Sequence, residues 1–239
     1  MLWYNSCTIW SGPGSPGPHY RLNEKENRVK EYAWLRDLGV AGIKVDFFAG
    51  DATEVMDYYI GLLEDAAAYE LMINLHGATI PRGWQRTYPH MMTVEGVYGA
   101  EWYNNLPVLT SQAARHNATL PFTRNVVGPM DYTTGTFSDS QHPHITSYGH
   151  ELALCVVFES ALQHMPDRPS SYLSLPEPVK KFLSGLPTAW DETKLLAGYP
   201  GVDVVIARRK ADVWYVGGLN GTDENRAMRF NLSRIDGAG

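Results

Sequence analysis

Lys44 and Asp46 stand two residues apart in GIKVDFF (42–48), a run that otherwise reads as a buried strand. Residues two apart in an extended chain point to the same face, so the ammonium and the carboxylate share one side. A neighbouring cation favours the ionised carboxylate, the form in which an aspartate attacks as a nucleophile. An ordinary salt bridge at a strand end is the alternative.

Three further polar features follow apolar runs: His76 in NLHGAT, Glu95 and Glu101 in TVEGVYGAEW, and Asp131 in GPMDY. Each has a plain structural alternative. His76 could cap backbone in a buried loop, the two glutamates could be solvated loop acids, and Asp131 could form a turn before TTG. Together they suggest more, because glycosidic bond cleavage needs two carboxylates. One is ionised to attack or to activate water, and the other is protonated to release the leaving oxygen. Trp84, Tyr88, Trp102 and Tyr132 flank the same loops and could stack on the apolar faces of sugar rings.

The elements that must position these groups alternate. LWYNS (2–6) reads as a strand and is followed by the Gly/Pro-rich loop SGPGSPGPHY. EKENRVKEYAWLRDLGV carries Val29, Tyr32, Ala33 and Leu35 or Leu38 at helical spacing and stops at Gly39. AGIKVDFF is strand, TEVMDYYIGLLEDAAAYE a helix opening at Thr53, and LMINLHGAT strand again. A further strand is predicted at 124–132 and a long helix over ITSYGHELALCVVFESALQH.

Short strands alternating with helices indicate βα units on a parallel sheet, here a barrel-like one. In such a barrel the strand ends converge on one mouth, where catalytic groups collect. A complete eight-stranded barrel takes about 250 residues, whereas only residues 1–186 precede a change of pattern, with roughly five or six strands among them. The expectation is therefore α/β: a partial (β/α)8 barrel over 1–186, entered after its first strands. An antiparallel β domain over 187–239 follows. In it residues 202–209 and 213–219 form a hairpin across RKAD, and RAMRFNLS has the same period-two character.

Composition narrows the function classes. With 239 residues, 44% hydrophobic and 12% aromatic, the chain can bury a sizeable core. The net charge of -6 and the lack of a Lys/Arg run argue against nucleic acid as a partner. Seven acids balance seven bases from Pro187 onward, so the excess of acid lies in residues 1–186. Two distant cysteines, Cys7 and Cys155, predict neither a disulfide framework nor a zinc site. No apolar run reaches the length of a membrane span.

The segments GIKVDFF, NLHGATIPRGWQRTYPHMMTVEGVYGAEW, LPFTRNVVGPMDYTTGTF, ELALCVVFESALQHMPDRPSSY and LPTAWDETKLLAGYPGVDVVIARRKADVWYVGGLNG closely resemble glycoside hydrolase family 97. The resemblance covers residues 3–233. It implies a parent of three parts, an N-terminal β-sandwich, a (β/α)8 barrel and a C-terminal β domain, with this chain starting at the third barrel strand. Inverting members resemble His-Glu where this chain has His76-Gly77, and they lack the aspartate after Lys-Val. The resemblance therefore implies the retaining branch.

Carried over motif by motif, Asp46 corresponds to the nucleophile and Glu101 to the general acid/base. Glu95 and Glu101 correspond to the barrel's share of a Ca2+ site, completed by a carboxylate of the sandwich. Lys44, His76, Asp131 and Trp84 are expected to bind substrate. The implied activity is hydrolysis of terminal α-glycosides of oligosaccharides, α-galactosides first, with α-glucosides or β-L-arabinopyranosides fitting the same scaffold. A non-catalytic carbohydrate-binding fragment is the alternative of another class. A calcium-independent hydrolase sharing only the Lys-x-Asp strand is the third.

Overall fold

A computed structural model of the chain describes residues 1–103, 107–139 and 142–235. The last four residues of the β domain predicted from the sequence thus lie outside the described residues. The chain divides into two units, one of Met1–Val97 with Val127–Met130 and one of Tyr98–Val126 with Asp131–Gly239.

In the first unit, strands β1 (Leu2–Asn5), β2 (Gly42–Asp46), β3 (Met72–Leu75) and β4 (Met91–Val94) alternate with helices α1 (Lys25–Asp37), α2 (Thr53–Ala68) and α3 (Trp84–Thr87). Among the described residues the strands form a parallel sheet in sequence order, β1-β2-β3-β4. Tyr4, Ile43, Val45, Ile73, Leu75, Met91 and Val94 bury one face of it in a core shared with Tyr32 and Leu35 of α1 and Tyr59, Leu62, Leu63 and Ala66 of α2. Burying each large aliphatic chain is worth about 1.5–3 kcal/mol. A slip of one residue would turn that set outward, so the apolar pattern fixes the register. It also fixes what the other face carries: Trp3 and Asn5 stand opposite Lys44 and Asp46, Lys44 opposite Asn74, and Asn74 opposite Thr93.

The core stripe of α1 is Arg28, Tyr32 and Leu35, with the position expected for Val29 taken one residue earlier by an arginine. Arg28 tolerates burial because Asp65 of α2 accepts from its Nε at 2.8 Å and from its Nη2 at 2.5 Å, and the Leu22 carbonyl accepts from Nη1 at 2.9 Å. A buried charge is stable only when paired and hydrogen-bonded in this way.

The strand expected at 124–132 is not formed. Arg124–Val127 is a 3-10 turn, and a single parallel bridge joins Val94 to Met130. Pro129 has no N–H to give to a ladder.

The second unit contains α4 (Pro107–Ser111), α5 (Ala113–Thr119), α6 (Tyr148–Val157), α7 (Pro169–Ser174) and α8 (Glu177–Ser184), followed by β5 (Glu192–Tyr199), β6 (Asp203–Lys210) and β7 (Val213–Asn220). The three strands form an antiparallel sheet in the order β5-β6-β7. The β6–β7 hairpin turns at Ala211–Asp212, as its sequence predicts, whereas β5 precedes the segment read as strand. RAMRFNLS forms a 3-10 turn at Leu232–Arg234 instead of a third strand.

Helix α6 is shorter than expected. Ser147 caps its N-terminus by accepting from the His150 N–H, and Phe158 is already extended. Its final carbonyls, which lack partners within the helix, receive Arg208 of β6: Nε donates to Val156 at 2.6 Å and Nη2 to Val157 at 2.8 Å. The parallel sheet with its helices agrees with the expected partial barrel, and the antiparallel sheet with the expected β domain. Among the described residues no helix is long and apolar enough to cross a membrane.

Candidate active site

In the first unit the polar residues gather at the carboxyl-terminal edge of the parallel sheet. Asp46 ends β2, His76 follows β3 and Glu95 follows β4, all three buried. The Asp46 carboxylate is held at both oxygens. Oδ1 accepts from the Phe47 backbone N–H at 2.8 Å, Oδ2 accepts from Trp3 Nε1 at 3.1 Å, and Lys44 Nζ lies 3.7 Å from Oδ2. The alternation read from GIKVDFF therefore brings Lys44 and Asp46 together on the polar face.

The turn that follows is strained. Phe47 has φ +67°, a left-handed conformation that is an outlier for a bulky residue and costs about 1–3 kcal/mol. It is held from both sides. Ser6 Oγ and Thr8 Oγ1 donate to the Phe47 carbonyl at 2.7 and 3.1 Å, Ser6 N donates to the Asp46 carbonyl at 2.8 Å, and Phe48 N donates to the Gly77 carbonyl at 3.1 Å.

Gly77 ties Asp46 to Glu95. Its N–H donates to Glu95 Oε2 at 2.7 Å, and His76 Nδ1 lies 3.7 Å from Glu95 Oε1. At φ +51° a Cβ on Gly77 would stand 2.9 Å from the Phe47 nitrogen and 3.1 Å from Asp46 Oδ1. The backbone can approach this closely only because the residue is glycine.

Glu101 lies in the second unit, exposed on the 3-10 turn Ala100–Tyr103. That turn is docked on backbone: Ala100 N donates to the Tyr132 carbonyl at 2.9 Å, and a Cβ on Gly99 would lie 2.7 Å from the same oxygen. The neighbouring Asp131 is fully buried. Its Oδ1 accepts from the His164 backbone N–H at 3.1 Å, and its Oδ2 pairs with His164 Nδ1. Asp131 thus orients an imidazole instead of forming the turn.

The aromatic residues divide. Trp84 stands on the apolar side of the first unit, its ring 5.1 Å from that of Tyr59, and Tyr88 packs against the same core while its hydroxyl donates to Glu64 at 3.3 Å. Tyr132 is buried against Phe158, with ring centroids 4.9 Å apart. Trp102 is 38% exposed and meets Tyr98 edge-on at 5.2 Å. Sequence reasoning missed Trp3, Ser6, Thr8 and His164. Trp3 had a usable signal, since it precedes Asn5 by two in the first strand and so shares its face.

Residues 1–97 match the family model for glycoside hydrolase 97, and residues 189–238 match the model for the family 97 C-terminal region, described as an oligomerisation region. A probable retaining alpha-galactosidase of Streptomyces bingchenggensis is 43% identical over 200 residues, covering 84% of this chain and 30% of the relative. The retaining alpha-galactosidase of Bacteroides thetaiotaomicron is 38% identical over 213 residues, covering 85% of this chain and 31% of the relative. The chain thus spans about a third of the length of these curated relatives. Among solved structures, a beta-arabinopyranosidase superposes with a TM-score of 0.87 at 35% identity, over 93% of this chain and 37% of the other. A family 97 enzyme of Pseudoalteromonas sp. strain K8 in complex with panose gives 0.76 at 25% identity, over 92% and 36%. These matches span both sheets and the edge that carries Asp46, His76 and Glu95: the chain belongs to glycoside hydrolase family 97.

Proposed function

We propose that the protein is a retaining glycoside hydrolase that removes terminal α-linked sugars, α-galactose first, from oligosaccharides by double displacement. The observation that carries this reading is the Asp46 carboxylate at the end of β2, with donors on both oxygens and a glycine where a longer side chain would collide with it. The names of the two curated relatives, a probable retaining alpha-galactosidase and a retaining alpha-galactosidase, support the same branch.

In the first step an Asp46 oxygen bonds to the anomeric carbon as the glycosidic C–O bond breaks. Glu101 gives its proton to the departing oxygen. In the second step Glu101 takes a proton from water, the water oxygen bonds to the anomeric carbon, and the Asp46 carboxylate leaves with the bonding electrons. Two displacements restore the configuration of the substrate. Lys44, His76 and Asp131 with its partner His164 bind hydroxyls in this reading.

Glu95 and Glu101 would hold a calcium ion. Their carboxylate oxygens are the donors that a hard cation takes, and the Gly77 N–H on Oε2 fixes the direction of the Glu95 carboxylate. When bound, the ion supplies positive charge that polarises sugar or water oxygens.

A second substrate reading is favoured by one observation, the 0.87 superposition on a beta-arabinopyranosidase. A β-L-arabinopyranoside lacks the hydroxymethyl group of an α-galactoside. Nitrophenyl α-galactoside, α-glucoside and β-L-arabinopyranoside assayed with the intact protein separate the readings, with NMR reporting the first-formed anomer. The expected result is fastest hydrolysis of the α-galactoside with α-galactose released first. First release of the inverted sugar, or no hydrolysis of any of the three, would sink the proposal.

A further inference from the structure

Trp3 donates from its indole Nε1 to Asp46 Oδ2 at 3.1 Å, across 43 residues of chain and between neighbouring parallel strands. Its ring meets Phe47 edge-on, with centroids 5.6 Å apart at 72°. The contact links the first strand to the carboxylate through one directional bond.

A carboxylate turns easily about its Cβ–Cγ bond, where the torsional wells are broad. The Phe47 N–H on Oδ1 fixes one oxygen and leaves the plane of the group free to rock about it. Lys44 Nζ, 3.7 Å from Oδ2, attracts that oxygen as a compact charge on a flexible stem and sets little direction. An indole N–H is different. It is donor-only and neutral, and its ring is braced against Phe47. It can orient Oδ2 without exchanging a proton with it.

We propose that Trp3 is a positioning residue for Asp46, its indole N–H fixing the carboxylate plane from which the aspartate attacks the anomeric carbon. The inference rests on the proposed role of Asp46 as nucleophile. Trp3 touches no reacting atom of the sugar and acts only through Asp46. Misplacing a reacting group by about an ångström costs on the order of a hundredfold in rate, so loss of the N–H should slow attack by about tenfold to a hundredfold and leave sugar binding intact.

The test is inactivation of the intact protein by a trinitrophenyl 2-deoxy-2,2-difluoro-α-galactoside, whose leaving group departs without an acid, so that the rate reads nucleophilic attack alone. Trp3→Phe keeps a ring and removes the donor. Replacing Trp3 by 3-benzothienylalanine removes only the N–H and decides the matter if the phenylalanine variant does not fold. The expected result is a maximal inactivation rate about tenfold to a hundredfold lower in both variants. The half-saturating concentration and melting temperature should stay near wild type, and the label should lie on the peptide containing Asp46. An inactivation rate within about twofold of wild type in the benzothienyl variant, well under the loss expected of a misplaced reacting group, overturns the role of Trp3 and leaves that of Asp46 standing. Wild-type label on a residue other than Asp46 overturns the nucleophile assignment and the proposal with it.

Discussion

A Cβ placed on Gly77 would lie 3.1 Å from Asp46 Oδ1 and 2.9 Å from the Phe47 nitrogen, so the glycine after His76 and the aspartate after Val45 occupy mutually dependent space. A glutamate at position 77 and an aspartate at position 46 would compete for it. Gly77→Ala should therefore destabilise the fold by about 1–3 kcal/mol, through its left-handed φ and the crowding of Phe47. It should lower turnover of an activated aryl glycoside more than the stability loss accounts for. Urea unfolding together with initial rates checks both, and an alanine variant with wild-type stability and rate would show that the edge can yield.

The Arg28–Asp65 pair holds α1 to α2, with side chains only 6% and 11% exposed. Removing one partner strands a buried charge, so Asp65→Ala should cost about 3–5 kcal/mol. Replacing both, Arg28→Met with Asp65→Leu, should recover most of that loss, because an apolar pair of similar volume leaves no charge unmet. Chemical denaturation of the three proteins measures it. A double variant no better than the single one would show that the Leu22 carbonyl contact or the packing at this point dominates.

Much of the first unit was legible because β2 alternates apolar with polar residues, and the ladder passes that alternation to its neighbours as far as the register shift between Ile73 and Asn74. Lys44 and Asp46 are separated by Val45, and the apolar partners Ile43 and Val45 could face only the helices. The site edge was legible for the same reason, since parallel strands in order bring Asp46, His76 and Glu95 to one end. What stayed hidden depends on contacts between distant segments. Trp3, Ser6 and Thr8 act on Asp46 and Phe47 from about 40 positions away, and no local pattern marks the left-handed φ of Phe47. Trp84 carried the composition of a sugar-binding aromatic but packs on Tyr59. Strand β5 was obscured by a ladder irregularity between Leu195 and Ala197, which breaks its period of two.

Glu151 of α6 is buried, and burial pushes its carboxyl from the ordinary value of 4.5 up to about 7, offset in part by His144. The folded state therefore keeps a proton that the unfolded chain releases. The resulting contribution is fully present below about pH 4.5 and is lost as pH rises through about 7. The span amounts to roughly 3 kcal/mol. His150, pushed down to about 4 by burial, runs the other way: its contribution is present above its ordinary 6.5 and is lost as pH falls toward 4. Comparing wild type with Glu151→Gln isolates the acid. The two should have similar stability at pH 4 and below, and the glutamine variant should be the more stable at pH 8. Parallel stability curves across that range would mean that Glu151 titrates as it does in the unfolded chain.

If Glu101 is the acid/base, its proton matters most when the leaving group is poor. Glu101→Gln should depress hydrolysis of a natural oligosaccharide by orders of magnitude more than that of a dinitrophenyl glycoside, for which the glycosyl-enzyme should accumulate. Saturating calcium in both assays separates loss of the acid from loss of a metal ligand. Equal loss on the two substrates would leave Glu101 a structural ligand only.

If Asp46 is the nucleophile, the configuration of a rescued product reveals it. Asp46→Ala in the intact protein should hydrolyse an activated α-galactoside negligibly. Added azide should restore turnover, because a small anion can enter the space left by the carboxylate and attack the anomeric carbon from the same side. One displacement in place of two inverts the centre, so the expected product is β-galactosyl azide, identified by NMR. An α-configured azide product would contradict that role for Asp46.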